Sequence, residues 1–311
     1  MRWGVWFEPV RPAAELVELA VLAEAEGATT CFVADEGTDR DVWITLTAIA
    51  LATDRLVVAP AITNPFSRHP VASAAAVATL AELVPGRVWH GLGVGGSRVL
   101  GPLGLAPARP FSSLRDSVAL TRELLAGRRH GDAQLPWIED EGAIPLAIAG
   151  RGPRVQALAA DQADWVILSA EPVVRLPEAA ARLRAKGAHL AWSAYLAYDD
   201  EQRRQVLGHF SYMALDAPPE IRAAAGLDAD RVEQVRAAML AGHLEEAAAL
   251  LPESLVDHYA VAGSPESCAE RIADLAGSFD LFVLPMNDVA GAERHIRTSA
   301  AILRDAAERV S

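Results

Sequence analysis

The sequence predicts an α/β fold, a (β/α)8 TIM barrel, on three observations. Short apolar runs alternate with longer segments of helical periodicity along most of the chain. These apolar runs are nearly continuous, as strands are when a parallel sheet is buried on both faces. Eight strand–helix units in 311 residues match the count and the size of a closed barrel. Periodicity alone leaves an open doubly wound sheet as the alternative.

The first four strand–helix units fill the N-terminal part of the chain. Pro12 suits the first turn of the first helix, and Gly27 supplies its C-terminal stop. Taken in order, the predicted strands and helices alternate as Arg2–Phe7, Pro12–Glu26, Cys31–Ala34, Asp41–Thr53, Leu56–Ala59, Pro70–Leu83, Val88–Leu92 and Ser113–Ala126.

The remaining four units are interrupted once. Residues 199–261 break the strand–helix rhythm with helical patterns separated by Pro218, Pro219 and Gly242. We interpret them as a helical insertion between strand seven and its helix, so that residues 1–311 form a single domain. The predicted elements of this half are Pro145–Ala149, Pro153–Ala160, Trp165–Leu168, Leu176–Lys186, Leu190–Tyr198, Pro265–Ala276, Asp280–Leu284 and Val289–Val310.

Composition and charge narrow the functional classes. The chain carries 28 basic and 41 acidic residues, a net charge of −13, which disfavours nucleic acid and anionic membranes as partners. A hydrophobic content of 51% excludes a disordered chain. Two cysteines, no visible signal peptide and no stretch long enough to span a membrane predict a cytoplasmic protein.

A glycine run follows the fourth strand. Gly91, Gly93 and Gly96 formally match G-x-G-x-x-G, but Pro102 and Pro107 follow, so no helix is expected to open directly after them. That argues against a dinucleotide-binding fingerprint, which needs such a helix. Glycines still let the backbone approach a flat ligand closely. A plain tight turn at the barrel rim is the alternative.

The segment Gly150–Pro153 is a candidate phosphate-binding turn. Pro153 suits the first position of a helix, whose free N–H groups and dipole favour an anion. Arg151 would add positive charge. An ordinary turn with a solvated arginine is the alternative.

Asp35 and Glu36 follow the second strand and are the candidate catalytic residues. Because they are adjacent, their side chains point in different directions if the strand persists, so a jointly acting pair is not expected. Asp39 and Asp41 lie nearby, but no closely spaced histidines accompany this cluster, so we expect no metal site.

Four stretches, in this order and at this spacing, resemble the luciferase-like family of flavin- and deazaflavin-dependent oxidoreductases. They are VVAPAITNPFSRHP, LVPGRVWHGLGVGG, PLAIAGRGPRVQALAADQADWVIL and AGSPESCAERIADLAGSFDLFVLP. The likeness extends over nearly the whole chain and implies a (β/α)8 barrel with an insertion. Within the family, the sequence is most similar to members that use coenzyme F420.

The resemblance also implies site residues. It places a non-prolyl cis peptide near Ala61-Ile62, a wall for the cofactor ring beside it, and a phosphate contact at the turn after strand five. The residues that we assign to cofactor binding on this basis are Ala61, Ile62, Thr63, Asn64, Gly95, Gly96, Ser97, Arg98, Ala149, Gly150, Arg151, Gly152 and Ser169. Aromatic side chains predicted to line a substrate pocket are Trp6, Phe7, Trp43 and Phe66.

Three positions depart from the family pattern. Asp35-Glu36 stands where deazaflavin-dependent members often have Asp-His, Arg98 where they often have an acid, and Arg151 where they have a glycine. The first two changes remove expected proton donors or acceptors. Glu36 remains a candidate general acid or base if burial raises its pKa.

The sequence therefore predicts an oxidoreductase that transfers hydride between coenzyme F420 and a small organic substrate. A monooxygenase that uses flavin mononucleotide (FMN) is the alternative enzyme, and a non-catalytic flavin- or deazaflavin-binding paralogue is the alternative of another class. The resemblance further implies a homodimer, to which the alanine-rich helix Pro70–Leu83 offers small residues for close packing.

Overall fold

The computed structural model describes residues 1–138, 144–286 and 291–310. Its barrel strands are β1 (Arg2–Phe7), β2 (Thr30–Val33), β3 (Val57–Pro60), β4 (His90–Leu92), β5 (Leu146–Ala149), β6 (Trp165–Ser169), β7 (His189–Ser193) and, last along the chain, β10 (Leu281–Pro285). They form an eight-stranded parallel sheet in the order β3-β2-β1-β10-β7-β6-β5-β4. The predicted (β/α)8 barrel is confirmed.

Helices surround the barrel, and the predicted ones lie within a few residues of their observed bounds. The helices of the barrel are α1 (Ala13–Ala25), α2 (Val42–Ala52), α3 (Pro70–Leu83), α4 (Ser97–Leu100), α5 (Pro110–Leu125), α6 (Pro153–Gln162), α7 (Leu176–Arg184), α14 (Pro265–Leu275) and α15 (Ala292–Val310). The predicted start of the last helix at Val289 lies outside the described residues. Among the described residues, no helix is long and apolar enough to cross a membrane.

Two predictions about local structure were wrong. A one-turn helix, α4, does open directly after the glycine run, before the prolines interrupt the chain. The predicted strand Leu190–Tyr198 is two strands, β7 and β8 (Tyr195–Ala197). The chain leaves the barrel at Ala194 because Tyr195 and Ala197 pack into the apolar core of the insertion instead.

The insertion combines helices with a small sheet. β8 pairs in parallel with β9 (Ala260–Ala262), so the insertion is not purely helical. Phe210, Val235 and Leu255 are fully buried in its core. Its helices are α8 (Asp200–Gly208), α9 (Ser211–Asp216), α10 (Pro219–Ala225), α11 (Ala229–Leu240), α12 (Leu244–Ala249) and α13 (Leu255–Tyr259).

The barrel interior is filled unevenly along its axis. Near the amino-terminal ends of the strands, Trp89 and Trp165 stack with ring centroids 4.5 Å apart. The Arg2 guanidinium lies 5.1 Å over the Trp165 ring and covers the stack from below. Nearer the carboxyl ends, the inward residues include both small ones, such as Ala59 and Ala149, and large ones, such as Trp6 and Phe32. The tryptophan stack thus closes the amino-terminal end of the barrel.

Carboxylates hold the strands at the closed end. Glu24, buried on α1, accepts hydrogen bonds from the backbone amides of Asp54, Arg55 and Leu56 as the chain enters β3, the shortest being 2.6 Å to Arg55. In the same way Asp164 accepts from Leu146 N and Asp280 accepts from Leu190 N, each at 2.8 Å. These bonds satisfy backbone amides at or near the start of a strand.

We expect Glu24→Gln to destabilise the protein. Burial opposes the charge of this carboxylate, but its three amide donors and Arg55 outweigh burial and lower its pKa. Hydrogen bonds to a charged group are worth about 1.5–3 kcal/mol, so the loss in the free energy of unfolding, measured in urea at pH 7, should fall in that range. A group whose pKa is lowered on folding stabilises above its ordinary pKa, so the difference between wild type and variant should shrink as acid titrates Glu24.

Glu26→Gln is the matched control. Glu26 ends the same helix but forms ion pairs with Arg297 and Arg304 at the surface. Such pairs contribute at most about 1 kcal/mol. If both variants lose equally little stability, Glu24 does not anchor the strand.

Candidate active site at the carboxyl end of the barrel

The loops that follow the strands meet at the carboxyl end of the barrel, which we call the mouth. This end of a parallel barrel carries the active site in essentially every characterised enzyme of the fold. Glu8 follows β1, Asp35 and Glu36 follow β2, Thr63 follows β3, and Arg98 lies on α4 after β4. Four neighbouring loops therefore bring three carboxylates and one guanidinium to one side of the mouth.

Arg98 joins two of these carboxylates. Its Nη2 atom lies 3.0 Å from Glu8 Oε1 and 2.7 Å from Glu36 Oε1. The two glutamate side chains are only 18% and 16% exposed, whereas that of Arg98 is 45% exposed. Tyr212 of the insertion lies 6.0 Å from the Arg98 guanidinium, so the insertion reaches this side of the mouth.

Burial and charge act in opposite directions on Glu36. Burial raises the pKa of Glu36 more strongly than Arg98 lowers it, and Glu8 adds to the rise. Although burial disfavours the charge of Arg98, the two glutamates raise the pKa of its guanidinium. Glu36 can therefore hold or release a proton closer to neutral pH than an exposed glutamate does.

Asp35 has a different partner. Thr63, fully buried, donates a hydrogen bond from Oγ1 to Asp35 Oδ2 at 2.7 Å. Burial raises the pKa of Asp35, and its hydrogen bond with Thr63 opposes that rise. Asp35 and Glu36 thus serve different neighbours, one tied to the loop after β3 and the other to α4.

The loop after β3 forms a wall of the mouth together with the glycines of β4. The Ala61–Ile62 peptide bond is cis, at the position that the resemblance implies. A Cβ atom at Gly91 would lie 1.9 Å from the carbonyl oxygen of Pro60, and one at Gly93 would lie 1.7 Å from Ile62 Cδ1. Only residues without a side chain fit there, because the Pro60 carbonyl and the Ile62 side chain pack directly on the two glycines.

Asn64 belongs to the interior of this loop. Its Oδ1 atom accepts hydrogen bonds from the amides of Phe66 and Ser67 at 3.0 Å each. Its Nδ2 atom donates to Ser67 Oγ at 2.9 Å, and the residue is 1% exposed. The side-chain amide is therefore committed to shaping the loop, and Gly95 packs against it.

The turn Gly150–Pro153 lies on the opposite side of the mouth. Gly152 is the N-terminal cap of α6 and Pro153 is its first residue, as predicted. A Cβ atom at Gly150 would lie 2.3 Å from Val155, so a side chain there is excluded. Arg151 and Arg154 are exposed at this turn, and Arg154 lies 4.1 Å over the Phe111 ring.

Ser169 ends the neighbouring strand β6 and is half-buried. In the closed order of strands, β5 lies across the barrel from β1, and β6 lies across from β2. The mouth therefore has a carboxylate side, formed by Glu8, Asp35, Glu36 and Arg98, and a phosphate-turn side, formed by Gly150–Pro153 and Ser169.

The predicted pocket aromatics divide into two groups. Trp6 faces the barrel interior and is half-buried, and Phe66 is half-buried in the loop after β3. Phe7 is completely buried between strands and helices, because successive side chains of a strand point to opposite faces. Trp43 is buried in the same layer, with its ring 5.9 Å from that of His90. Phe7 and Trp43 therefore do not open onto the mouth.

Sequence reasoning missed Glu8. It follows Trp6 by two positions, so strand alternation gives both side chains the same orientation, toward the barrel axis. Applying that alternation to the residue after β1 would have identified it. Arg98 was assigned to the cofactor, whereas the structure pairs it with Glu8 and Glu36.

A parallel (β/α)8 barrel whose strand-end loops gather half-buried carboxylates and the start of a helix has the architecture of a TIM-barrel enzyme. The luciferase-like monooxygenase family matches residues 2–280, and the chain belongs to this family. The likeness inferred from the sequence is thereby confirmed.

Two sequence relatives and one solved structure are informative. The chain is 26% identical to a 5,10-methylenetetrahydromethanopterin reductase of Archaeoglobus fulgidus, over 89% of this chain and 90% of that protein. It is 30% identical to an F420-dependent glucose-6-phosphate dehydrogenase of Mycolicibacterium fortuitum, over 83% of each. The coenzyme F420 dependent tetrahydromethanopterin reductase from Methanopyrus kandleri shares the fold with a TM-score of 0.82 at 20% identity, covering 96% of this chain and 97% of that one.

A double-mutant cycle tests the bond between Asp35 and Thr63. We expect Asp35→Ala and Thr63→Val each to lower the free energy of unfolding, and the double variant to lose about 1–2 kcal/mol less than the sum. Asp35→Asn is the control, because its amide oxygen still accepts the Thr63 hydroxyl. Additive losses in urea denaturation would show that the two side chains do not interact.

Proposed function

We propose that this protein is an oxidoreductase dependent on coenzyme F420, acting on a small organic substrate at the mouth of the barrel. The observation that carries the proposal is membership of the luciferase-like family together with likeness to F420-dependent relatives over more than four fifths of the chain. When bound, the deazaflavin supplies a carbon, C5, that donates or accepts hydride.

The residues of the mouth fit this cofactor. The backbone wall of Gly91, Gly93 and Ile62 suits the face of a flat tricyclic ring. The small inward side chains of Ala59 and Ala149 place little volume on this part of the interior, where the ring would lie. Gly152 at the start of α6, with Arg151 beside it, suits a phosphate, since the first amides of a helix lack internal partners.

In this proposal the remaining assigned residues have defined tasks. Thr63, tied to Asp35, holds the wall in place, and Asn64 shapes the loop behind it. Ser169 and the amides of the phosphate turn bind the anionic group. Gly95 and Gly96 border the same space, and the glycine-rich loop ends at Ser97, where α4 begins.

Glu36 is our candidate general acid or base. Its raised pKa and its position beside Glu8 and Arg98 allow it to hold a proton at the side of the mouth where substrate would lie. Asp35 acts on the wall through Thr63, so we assign it a positioning role.

Binding of coenzyme F420, followed by its fluorescence, tests this proposal. We expect saturable binding of F420 and weaker binding of FMN. Arg151→Ala should weaken F420 binding about tenfold, because a charge-assisted contact to a phosphate is worth about 1.5–3 kcal/mol. Arg129→Ala, at an exposed arginine after α5, is the matched control and should leave the affinity unchanged.

The outcome separates the candidate functions. FMN binding without F420 binding would favour the FMN-dependent monooxygenase, which the family description also covers. Binding of neither cofactor would exclude both enzymes. Binding of F420 without hydride transfer to any of a broad panel of carbonyl, alkene and imine substrates would favour a non-catalytic paralogue.

We also propose that the protein forms a homodimer through α2 and α3. These helices border an apolar surface groove of about 670 Å3. Three large apolar side chains stand exposed along it: Ile44 at 71%, Leu51 at 64% and Leu83 at 54%. Contiguous exposed apolar surface of this kind marks an interaction site.

We further place the protein in the cytoplasm. Cys31 and Cys268 are free and buried, which suits that reducing compartment.

Light scattering after size exclusion tests the dimer. We expect a dimeric mass for wild type and a monomeric mass for Leu83→Asp, because a buried unpaired carboxylate costs several kcal/mol at an interface. Leu240→Asp is the control: Leu240 is 84% exposed on the insertion, outside the groove. A monomeric wild type would refute the dimer.

A further inference from the structure

We propose that the carboxylate side of the mouth receives an uncharged or cationic part of the substrate and disfavours phosphorylated and carboxylated substrates. This inference deepens the proposed function and rests on its statement that substrate enters at the mouth. It concerns the charge of this chain's own residues, and it can be tested without any cofactor.

The charges on this side do not cancel. Glu8, Asp35 and Glu36 contribute three carboxylates when ionised, and Arg98 is the guanidinium between two of them. The three carboxylates are half-buried, so their charges are screened less than those of exposed groups. An anion that approaches this side therefore meets net negative charge.

Arg98 is not available to receive an anion. Its guanidinium already contacts a carboxylate oxygen of both Glu8 and Glu36. Turning toward a substrate phosphate would leave two poorly exposed carboxylates without their counter-ion, which costs more than an exposed contact returns. The positive charge of Arg98 is thus already engaged by Glu8 and Glu36.

Arg68 brings no net positive charge to this side. In the loop after β3 it pairs with Asp41 at 3.8 Å and lies 5.8 Å over the Trp43 ring. Asp41 and Arg68 both act on the charge of Asp35, in opposite directions.

Arg40 is likewise accompanied by an acid. It donates to two backbone carbonyls of the loop directly after Glu8, and its neighbour Asp39 adds negative charge beside Glu36. The two added arginines meet two added carboxylates, so the excess of negative charge on this side remains.

The phosphate-turn side has the opposite character. Arg151 and Arg154 flank Gly152 at the positive end of the α6 dipole. The carboxylate of Glu171, after β6, has two arginines of its own nearby, Arg182 and Arg175, and does not reverse this sign. The mouth therefore presents a negative side at the carboxyl ends of β1 and β2 and a positive side across the barrel from it. An anionic group of a bound molecule is favoured at the second side, and the part that lies at the first must lack negative charge.

Engineered cysteines can measure this polarity directly. Gly96, two residues before Arg98, and Gly152 are both exposed, and a Cβ atom at either meets nothing within 4 Å. The native thiols do not interfere: Cys31 and Cys268 are buried, and burial raises the pKa of Cys268 to about 11. Each variant, Gly96→Cys or Gly152→Cys, thus presents one reactive thiol.

The experiment compares two thiol reagents of similar size and opposite charge. Trimethylammonioethyl methanethiosulfonate is cationic, and sulfonatoethyl methanethiosulfonate is anionic. For each variant, the rate constant with the cationic reagent is divided by that with the anionic reagent at pH 8. This ratio is then divided by the same ratio for free 2-mercaptoethanol. Because one thiol reacts with both reagents, its own reactivity cancels.

We expect the normalised ratio to exceed 1 at Gly96→Cys and to be severalfold lower at Gly152→Cys. In the Gly96→Cys background, Glu8→Gln should lower the ratio about twofold, and Arg98→Gln should raise it about twofold, as expected for one charge at roughly 8 Å in water. Gly208→Cys, an exposed and sterically open position on the insertion, reports the general effect of the net charge of −13.

Two results would overturn the inference. One is a ratio at Gly96→Cys no higher than that at Gly208→Cys. The other is a ratio that Glu8→Gln and Arg98→Gln fail to move in opposite directions. Neither result depends on cofactor binding, so a failure of the proposed function, seen as absence of F420 binding, is recognised separately.

Discussion

The barrel closes where β3 meets β4, and the rest of the site depends on that closure. In the described part of the chain, two isolated bridges link these strands, Val58 with Val88 and Thr63 with Leu92. Between them the chain bulges, and it can do so because Gly91 leaves room for the carbonyl of Pro60. The same bulge forms the flat wall of the mouth. The same backbone atoms therefore close the sheet and form the wall.

The two ends of the barrel solve different physical problems. At the closed end, Glu24, Asp164 and Asp280 each accept from a backbone amide, Glu24 at 2.6 Å from Arg55 N. At the mouth, the carboxylates are only partly compensated. Glu8 and Glu36 both pair with the guanidinium of Arg98, and Asp35 accepts a hydrogen bond from the Thr63 hydroxyl. Satisfied polar groups stabilise a fold, whereas partly compensated ones keep pKa values raised and charge available for a ligand.

Sequence patterns predicted the barrel because strands buried on both faces and helices have distinct periods. They failed where contacts between segments far apart in the sequence determine the local structure. The chain leaves the barrel after β7 because Tyr195 fits the insertion's core, which no local pattern reveals. Phe7 was misplaced because strand alternation was not applied residue by residue. The partners of Arg98 come from loops some sixty and ninety residues away, so only the fold could identify them.

The tryptophan stack at the closed end has a kinetic consequence. With Trp89 and Trp165 in contact and Arg2 beneath them, the described interior is blocked at its amino-terminal end, so a ligand of the mouth enters and leaves from the carboxyl end. Whatever binds deepest has to arrive first and depart last, since every molecule passes through the same opening. A ring seated over the small alanines would hence precede its reaction partner, and release would follow the reverse order. The tryptophan stack would thereby determine the order of binding and release, although it does not contact the reacting groups.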